Sequence, residues 1–266
     1  ADAGTLRRAA LPEALAAWVR TPRPEPGRHG DAVVLKLTSG STGAPRATHT
    51  EERHLVADVR HIVQAMEIGR DDRQLGMIPL SHSYGFSNLL LPLLWQGTPL
   101  LLRPQFVPTQ VDQDIAAAGL TTFAGVPFMF EHLAAHQALP RLDTLRLVLS
   151  AGARLAYETV EAFHRATGLK VRSFYGSSET GGICFDEGPE LDWRVPVGRP
   201  MGDTQVMLIE DEEAPDGCGR VQVRGPNVID RYATPLDSDP TEAAPDARDG
   251  ATLVDGTFLT GDYAQR

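Results

Sequence analysis

Lysine is nearly missing from this 266-residue chain: Lys36 and Lys170 are the only two, and the rest of its 25 cationic side chains are arginine. Cysteine is as scarce, with Cys184 and Cys218 alone and no C-x-x-C spacing. That excludes a disulfide framework and reads as two reduced thiols of a cytoplasmic protein. No apolar run approaches the ~18 residues of a membrane span; the richest stretch, Leu89 to Leu102, is broken by Pro92, Gln96, Gly97 and Pro99. The N-terminus carries no charged-then-apolar secretion signal. A net charge of −10 argues against a nucleic-acid surface, because a phosphate backbone demands clustered cations. The Walker pattern G-x-x-x-x-G-K-[ST] is absent as well.

What is present is alternation. Short apolar runs at Ala32–Leu37, Leu75–Pro79, Pro99–Arg103, Thr121–Gly125, Leu145–Ser150 and Lys170–Tyr175 read as strands. Between them, His54–Met66, Pro108–Gly119, Phe128–Gln137 and Tyr157–Thr167 carry apolar residues at helical period. This order predicts an α/β fold, a largely parallel sheet with flanking helices, over residues 31–190. Residues 191–266 read as a small antiparallel β subdomain, with strands at Thr204–Ile209 and Arg220–Val223 and a surface loop over 233–256. Residues 1–30 are expected to hold a helix, Leu11–Arg20, and a Pro-rich connector, Thr21 to Gly30.

Ligands in such sheets gather at the carboxyl ends of strands, and small-residue turns sit there. Thr38-Ser39-Gly40-Ser41-Thr42-Gly43-Ala44 follows the first strand, and its N–H groups and hydroxyls can bend around a phosphate. Arg46 adds a cation that a polyphosphate needs. Tyr175-Gly176-Ser177-Ser178-Glu179-Thr180-Gly181-Gly182 follows another strand and combines an aromatic face, suited to a planar base, with a carboxylate, suited to a hard cation. Pro79-Leu80-Ser81-His82-Ser83-Tyr84-Gly85-Phe86, Gly125-Val126-Pro127, Ser150-Ala151-Gly152-Ala153 and Phe258-Leu259-Thr260-Gly261-Asp262 complete the set. Both oxygens of a carboxylate such as Asp262 can accept from a vicinal diol.

In this order the motifs resemble those of the adenylate-forming superfamily, which includes acyl- and aryl-CoA synthetases, peptide-synthetase adenylation domains and firefly luciferase. The resemblance covers residues 31–266 and implies AMP-forming activation of an organic carboxylic acid, followed by transfer to a thiol. It implies ATP and Mg²⁺, with CoA as co-substrate or a carrier-protein phosphopantetheine as acceptor. Thr38 through Gly43 and Arg46 would hold phosphates, and Gly152, Ala153, Tyr175, Gly176 and Ser177 the adenine side. Asp262 would take the ribose, Glu179 the metal, and Thr180 the α-phosphate. His82 would orient the acid in a pocket with Phe86, Gly125, Val126, Gly181 and Gly182, the glycines leaving room for a ring or a longer acyl chain. Pro-Leu-x-His favours the acyl-CoA branch over amino-acid adenylation. Arg46 stands where lysine is common, Arg220 where the family usually has Glu, and Arg231 where it often has Gly. Neither Lys36 nor Lys170 matches the family's C-terminal catalytic lysine. The chain is therefore read as a core piece of a longer ligase, with the C-terminal domain absent and slow turnover expected of these residues alone. A non-catalytic nucleotide- or acyl-adenylate-binding module and an unrelated α/β NTP-hydrolysing enzyme are the alternatives.

Overall fold

The computed structural model describes residues 5–8, 18–21, 30–38, 46–135, 142–233, 247–248, 251–254 and 256–265. A hairpin of β1 (Thr5–Arg8) and β2 (Trp18–Thr21) opens the chain. The helix expected over Leu11–Arg20 is thus corrected at its C-terminal end. Trp18 to Arg20 pair as a strand, where aromatic and β-branched residues suit the ladder; residues 9–17 and the connector residues 22–29 lie outside the described residues.

β3 (Ala32–Leu37) pairs antiparallel with β4 (Ala47–Glu51) and, among the described residues, with no other strand, so it stands apart from the parallel sheet that its apolar run predicted. Its burial is inverted: Val33, Leu35 and Leu37 are exposed while Lys36 is buried. α1 (Glu52–Ala65) starts in a capping box, in which Glu51 accepts from the third helical N–H and His54 Nδ1 accepts from the Glu51 N–H at 3.1 Å.

β5 (Gln74–Gly76) leads into a helical run that the sequence did not announce. It comprises α2 (Ser83–Gly85), a widened π turn at Phe86–Leu90, and α3 (Leu91–Gln96). Pro92 follows the widened turn, lacks an N–H to donate, and would crowd the Asn88 carbonyl in an ordinary helix. The alternation then runs as expected. β6 (Leu100–Leu102), α4 (Pro108–Ala118), β7 (Thr122–Gly125), α5 (Pro127–Ala135), β8 (Leu147–Ser150), α6 (Tyr157–Thr167), β9 (Val171–Ser177) and β10 (Gly181–Phe185) succeed one another.

β6, β5, β7, β8 and β9 lie parallel in that spatial order, and β10 and the two-residue β11 (Arg199–Pro200) extend the sheet antiparallel beyond β9. Phe123, Phe130, Phe163, Ile62 and Leu75 are almost fully buried in the core between this sheet and its helices. β12 (Gln205–Ile209), β13 (Gly219–Arg224), β14 (Ala247–Arg248), β15 (Ala251–Val254) and β16 (Thr257–Ala264) make a second, antiparallel sheet in the order β12-β13-β16-β15-β14. Its core takes in Ile183 and Cys184 of β10, so β10 joins the two sheets. The surface loop expected over 233–256 is corrected where it is described: Ala251–Val254 is a strand, and Leu253 is 1% exposed. No helix among the described residues is long and apolar enough to cross a membrane.

Candidate nucleotide and acid site

The carboxyl ends of β7, β8 and β9 converge on Tyr84. Its buried hydroxyl donates to the carbonyls of Gly125 at 3.1 Å and Leu149 at 3.3 Å, and its ring stacks on Phe174. Burial pushes the Tyr84 phenol far above its usual pKa, so it serves as a donor. Above it opens a cavity of about 300 Å³. Seven of the predicted site residues line it: Thr38, His82, Gly152, Gly176, Ser177, Glu179 and Gly181. Ser83, Ser87 and Ser178 line it too, and their hydroxyls gave no signal distinguishable from ordinary turn serines in the sequence.

His82 caps α2, its Nδ1 accepting from the Tyr84 N–H at 3.2 Å. In the neutral ring the proton therefore resides on Nε2, which leaves His82 an N–H for a carboxylate oxygen. Across the cavity, Ser83 and Ser178 share a 2.6 Å hydrogen bond between hydroxyls.

The neck of the small-residue loop is closed. The Thr38 N–H donates to the Arg46 carbonyl at 2.8 Å, and the Arg46 N–H donates to Thr38 Oγ1 at 3.3 Å. Ser39, Gly40, Ser41, Thr42 and Gly43 lie outside the described residues. The Arg46 guanidinium lies 3.7 Å above the Tyr232 ring, and the Tyr232 hydroxyl donates to Glu179 Oε1 at 3.0 Å. A chain of contacts thus runs from the loop neck to the carboxylate expected to hold the metal. Glu179 is 8% exposed, and among the described residues its Oε2 receives no hydrogen bond. One carboxylate oxygen open to a cavity beside a phosphate loop fits Mg²⁺, which takes one or two carboxylates plus phosphate oxygens.

Thr180 is placed otherwise than expected. It is fully buried, its hydroxyl donates to the Gly181 carbonyl at 3.0 Å and shares a 3.0 Å bond with Ser177, and it faces away from the cavity. Its carbonyl accepts from Asn227, which fastens the turn to the second sheet.

The glycines expected to leave room do not. A methyl group on Gly125 would meet Phe130 at 2.8 Å, one on Gly182 would meet Met201 at 2.3 Å, and one on Gly181 would meet the Asp58 carboxyl at 2.3 Å. They are small because protein occupies the space already. Neither Phe86, Gly125, Val126 nor Gly182 lines the cavity, and Ala153 is exposed beside it. Asp58 closes the floor, accepting from Ser87 Oγ at 2.6 Å and from the Gly182 N–H at 2.9 Å. Burial raises the pKa of the Asp58 carboxyl, and burial lowers that of the Lys36 ammonium, which lies within electrostatic reach of Asp58 and Glu179. The nearness of Lys36 to Asp58 could not be read in the sequence, because residues from β3 and α1 meet only in the tertiary fold. Lys170 is spoken for: its Nζ reaches the Asp186 carboxylate and the carbonyls of Gly188 and Glu190.

Neither Tyr175 nor Asp262 lines the cavity; the two are joined by a 2.6 Å hydrogen bond from the phenol to Oδ2. The unusual arginines have partners. Arg220 Nε donates to the Thr260 carbonyl at 2.7 Å. Arg231 reaches His49 at 3.1 Å and Asp31 at 3.6 Å. That guanidinium already supplies the positive charge for the one His/carboxylate cluster, Asp31, His49 and Glu51, found among the described residues.

A sheet whose parallel strands end in a cavity of polar side chains defines the class of open α/β proteins, in which ligands gather at the strand ends. The chain belongs to the AMP-binding enzyme family, whose sequence model matches residues 2–233. It is 26% identical over 282 residues to the human mitochondrial malonate–CoA ligase, covering 91% of this chain and 47% of that protein. It is 30% identical over 262 residues to the sulfoacetate–CoA ligase of Cupriavidus necator, covering 97% and 49%. Among solved structures, ATP-bound MatB from Rhodopseudomonas palustris superposes with a TM-score of 0.72 at 26% identity, covering 89% of this chain and 46% of that one. A malonyl-CoA ligase complex with methylmalonyl-CoA and AMP gives 0.69 at 25% identity, covering 91% and 55%. The α/β core followed by a small antiparallel sheet is the fold that the motifs implied. The chain spans about half the length of the curated relatives it matches.

Proposed function

We propose that these residues form the nucleotide- and acid-binding part of an AMP-forming acid–thiol ligase. The observation that supports this best is the gathering of groups around one cavity: Thr38 at the closed loop neck, Glu179 and the N–H of His82. ATP would lie with its phosphates at the loop neck and Glu179, and with its sugar at Asp262. The acid would enter beside His82 and Ser87. One carboxylate oxygen then forms a bond to the α-phosphorus as the bond to the pyrophosphate oxygen breaks, giving the acyl-adenylate. A thiol, that of CoA or a carrier phosphopantetheine, next takes the acyl group and AMP leaves.

The chain contributes mainly position and charge. His82 Nε2–H fixes one oxygen of the acid, and Arg46, held over Tyr232, supplies positive charge to the phosphates. Glu179 would hold Mg²⁺, which neutralises phosphate charge when bound. We place the reaction in the cytoplasm, a reading supported by two free cysteines. The test is calorimetric titration with ATP, with and without Mg²⁺, on wild type and Glu179→Gln. Wild type should bind ATP more tightly with Mg²⁺, and Glu179→Gln should lose that gain while keeping its circular dichroism. Identical Mg²⁺ dependence in both would remove Glu179 from the metal site, and no ATP binding by wild type would end the reading.

A further inference from the structure

Resting on that reading, we propose that the Tyr175 hydroxyl is a positioning group for the nucleotide. It holds the Asp262 carboxylate in the one orientation that leaves its other lone pairs for the ribose diol. The two residues belong to different sheets, Tyr175 to β9 and Asp262 to β16, and their 2.6 Å bond bridges them. Each sits at a break in register. On β10 the pairing shifts between Gly182 and Cys184, the latter opposite Tyr175. On β16 two extra residues are accommodated where β13 advances from Arg220 to Gln222. Bulges of this kind re-aim a side chain next to a functional site.

The backbone of the second bulge is braced separately. The Asp262 N–H donates to Thr260 Oγ1 at 3.0 Å, and Arg220 Nε holds the Thr260 carbonyl. The Asp262 side chain itself is exposed, and an exposed aspartate not held by a partner samples several rotamers at a binding cost. A carboxylate offers about four lone-pair positions. The phenol takes one of them, and the remainder suffice for two ribose hydroxyls. Burial, and next the Asp262 charge, push the Tyr175 phenol well above its usual pKa, so it stays a donor throughout the neutral range.

The test is calorimetry with ATP, 2′-deoxy-ATP and 3′-deoxy-ATP on wild type, Tyr175→Phe, Asp262→Asn and the double variant. Tyr175→Phe keeps the ring, and its melting temperature is read alongside. We expect about three- to tenfold weaker ATP binding in Tyr175→Phe, the range of one hydrogen bond. The deoxy analogues should lose less, and the Phe change should add nothing in the Asp262→Asn background. An equal loss for all three nucleotides, or the same loss in the Asp262→Asn background, would show a merely structural tyrosine and overturn the proposal. Asp262→Asn weakening ATP while Tyr175→Phe does not would overturn it and leave the ribose assignment standing. No effect of Asp262→Asn would overturn both.

Discussion

Gly181→Ala puts a methyl group where the floor of the cavity has no space for one. Gly181 has φ +66°, and its added Cβ would lie 2.3 Å from the carboxyl of Asp58. The left-handed backbone alone costs an alanine about 1–2 kcal/mol. The carboxyl must also move, and it is fully buried between the Ser87 hydroxyl and the Gly182 N–H. Losing either of those charge-assisted bonds costs about 1.5–3 kcal/mol. The sum is about 2.5–5 kcal/mol, which at an m-value near 3 kcal/mol/M lowers the urea midpoint by about 0.8–1.7 M.

Gly182→Ala is the internal comparison. Its methyl would meet the end of Met201, a flexible thioether that can swing away, at 2.3 Å and the Phe174 ring at 2.9 Å. Its cost should stay within the ~1–3 kcal/mol of ordinary overpacking. In an Asp58→Ala background, Gly181→Ala should fall to the backbone share of about 1–2 kcal/mol. Equilibrium urea unfolding of these variants decides the matter. If Gly181→Ala costs as much without the Asp58 carboxyl as with it, the steric account of the cavity floor is wrong.

Three further outcomes follow from buried groups. Burial pushes the Asp72 carboxyl up, but hydrogen bonds from Arg146, Thr121 and the Gly69 N–H outweigh burial and hold its pKa below the usual value. Its contribution is therefore present above the unfolded pKa of about 3.9 and lost as pH falls through the lower folded value. Asp72→Asn should cost about 1.5–3 kcal/mol at pH 7 and flatten the acid limb of a stability–pH profile below pH ~4; an unchanged acid limb would refute this. Cys184 is 4% exposed and burial pushes its thiol up to about 12, whereas Cys218 is partly exposed. Iodoacetamide at pH 8 should add one label, at Cys218, by peptide mass mapping, and labelling of Cys184 in the folded protein would contradict the packing of β10. Tyr84→Phe takes a donor from the Leu149 carbonyl and from the Gly125 carbonyl, which keeps the Ala151 N–H at 3.3 Å, and should lower stability by about 0.5–1.5 kcal/mol, read as a thermal shift; a neutral result would mean the phenol's bonds add nothing to those the carbonyls keep.

The local pattern of this chain was enough for the strand–helix alternation from Pro99 to Tyr175, though not for the helical run over Ser83–Gln96 before it, because periodicity and turn residues are properties of neighbours in sequence. It was enough for the family as well, because loop and turn motifs are contiguous. Ala32–Leu37 shows the limit: an apolar run predicts a strand, but only its partner decides the sheet, and that partner is β4. The glycines at 125, 181 and 182 show a second limit. The sequence says that a side chain is missing, and only packing says whether ligand or protein fills the space; here Phe130, Asp58 and Met201 fill it. Thr180, which belongs to the motif, was turned inward by Ser177 and the Gly181 carbonyl. The Asp58 floor, the Arg46–Tyr232–Glu179 relay and the Tyr175–Asp262 bond join residues 29 to 186 positions apart. Hydrogen bonds and buried charges act over a few ångströms of space, and the separation along the chain does not enter them.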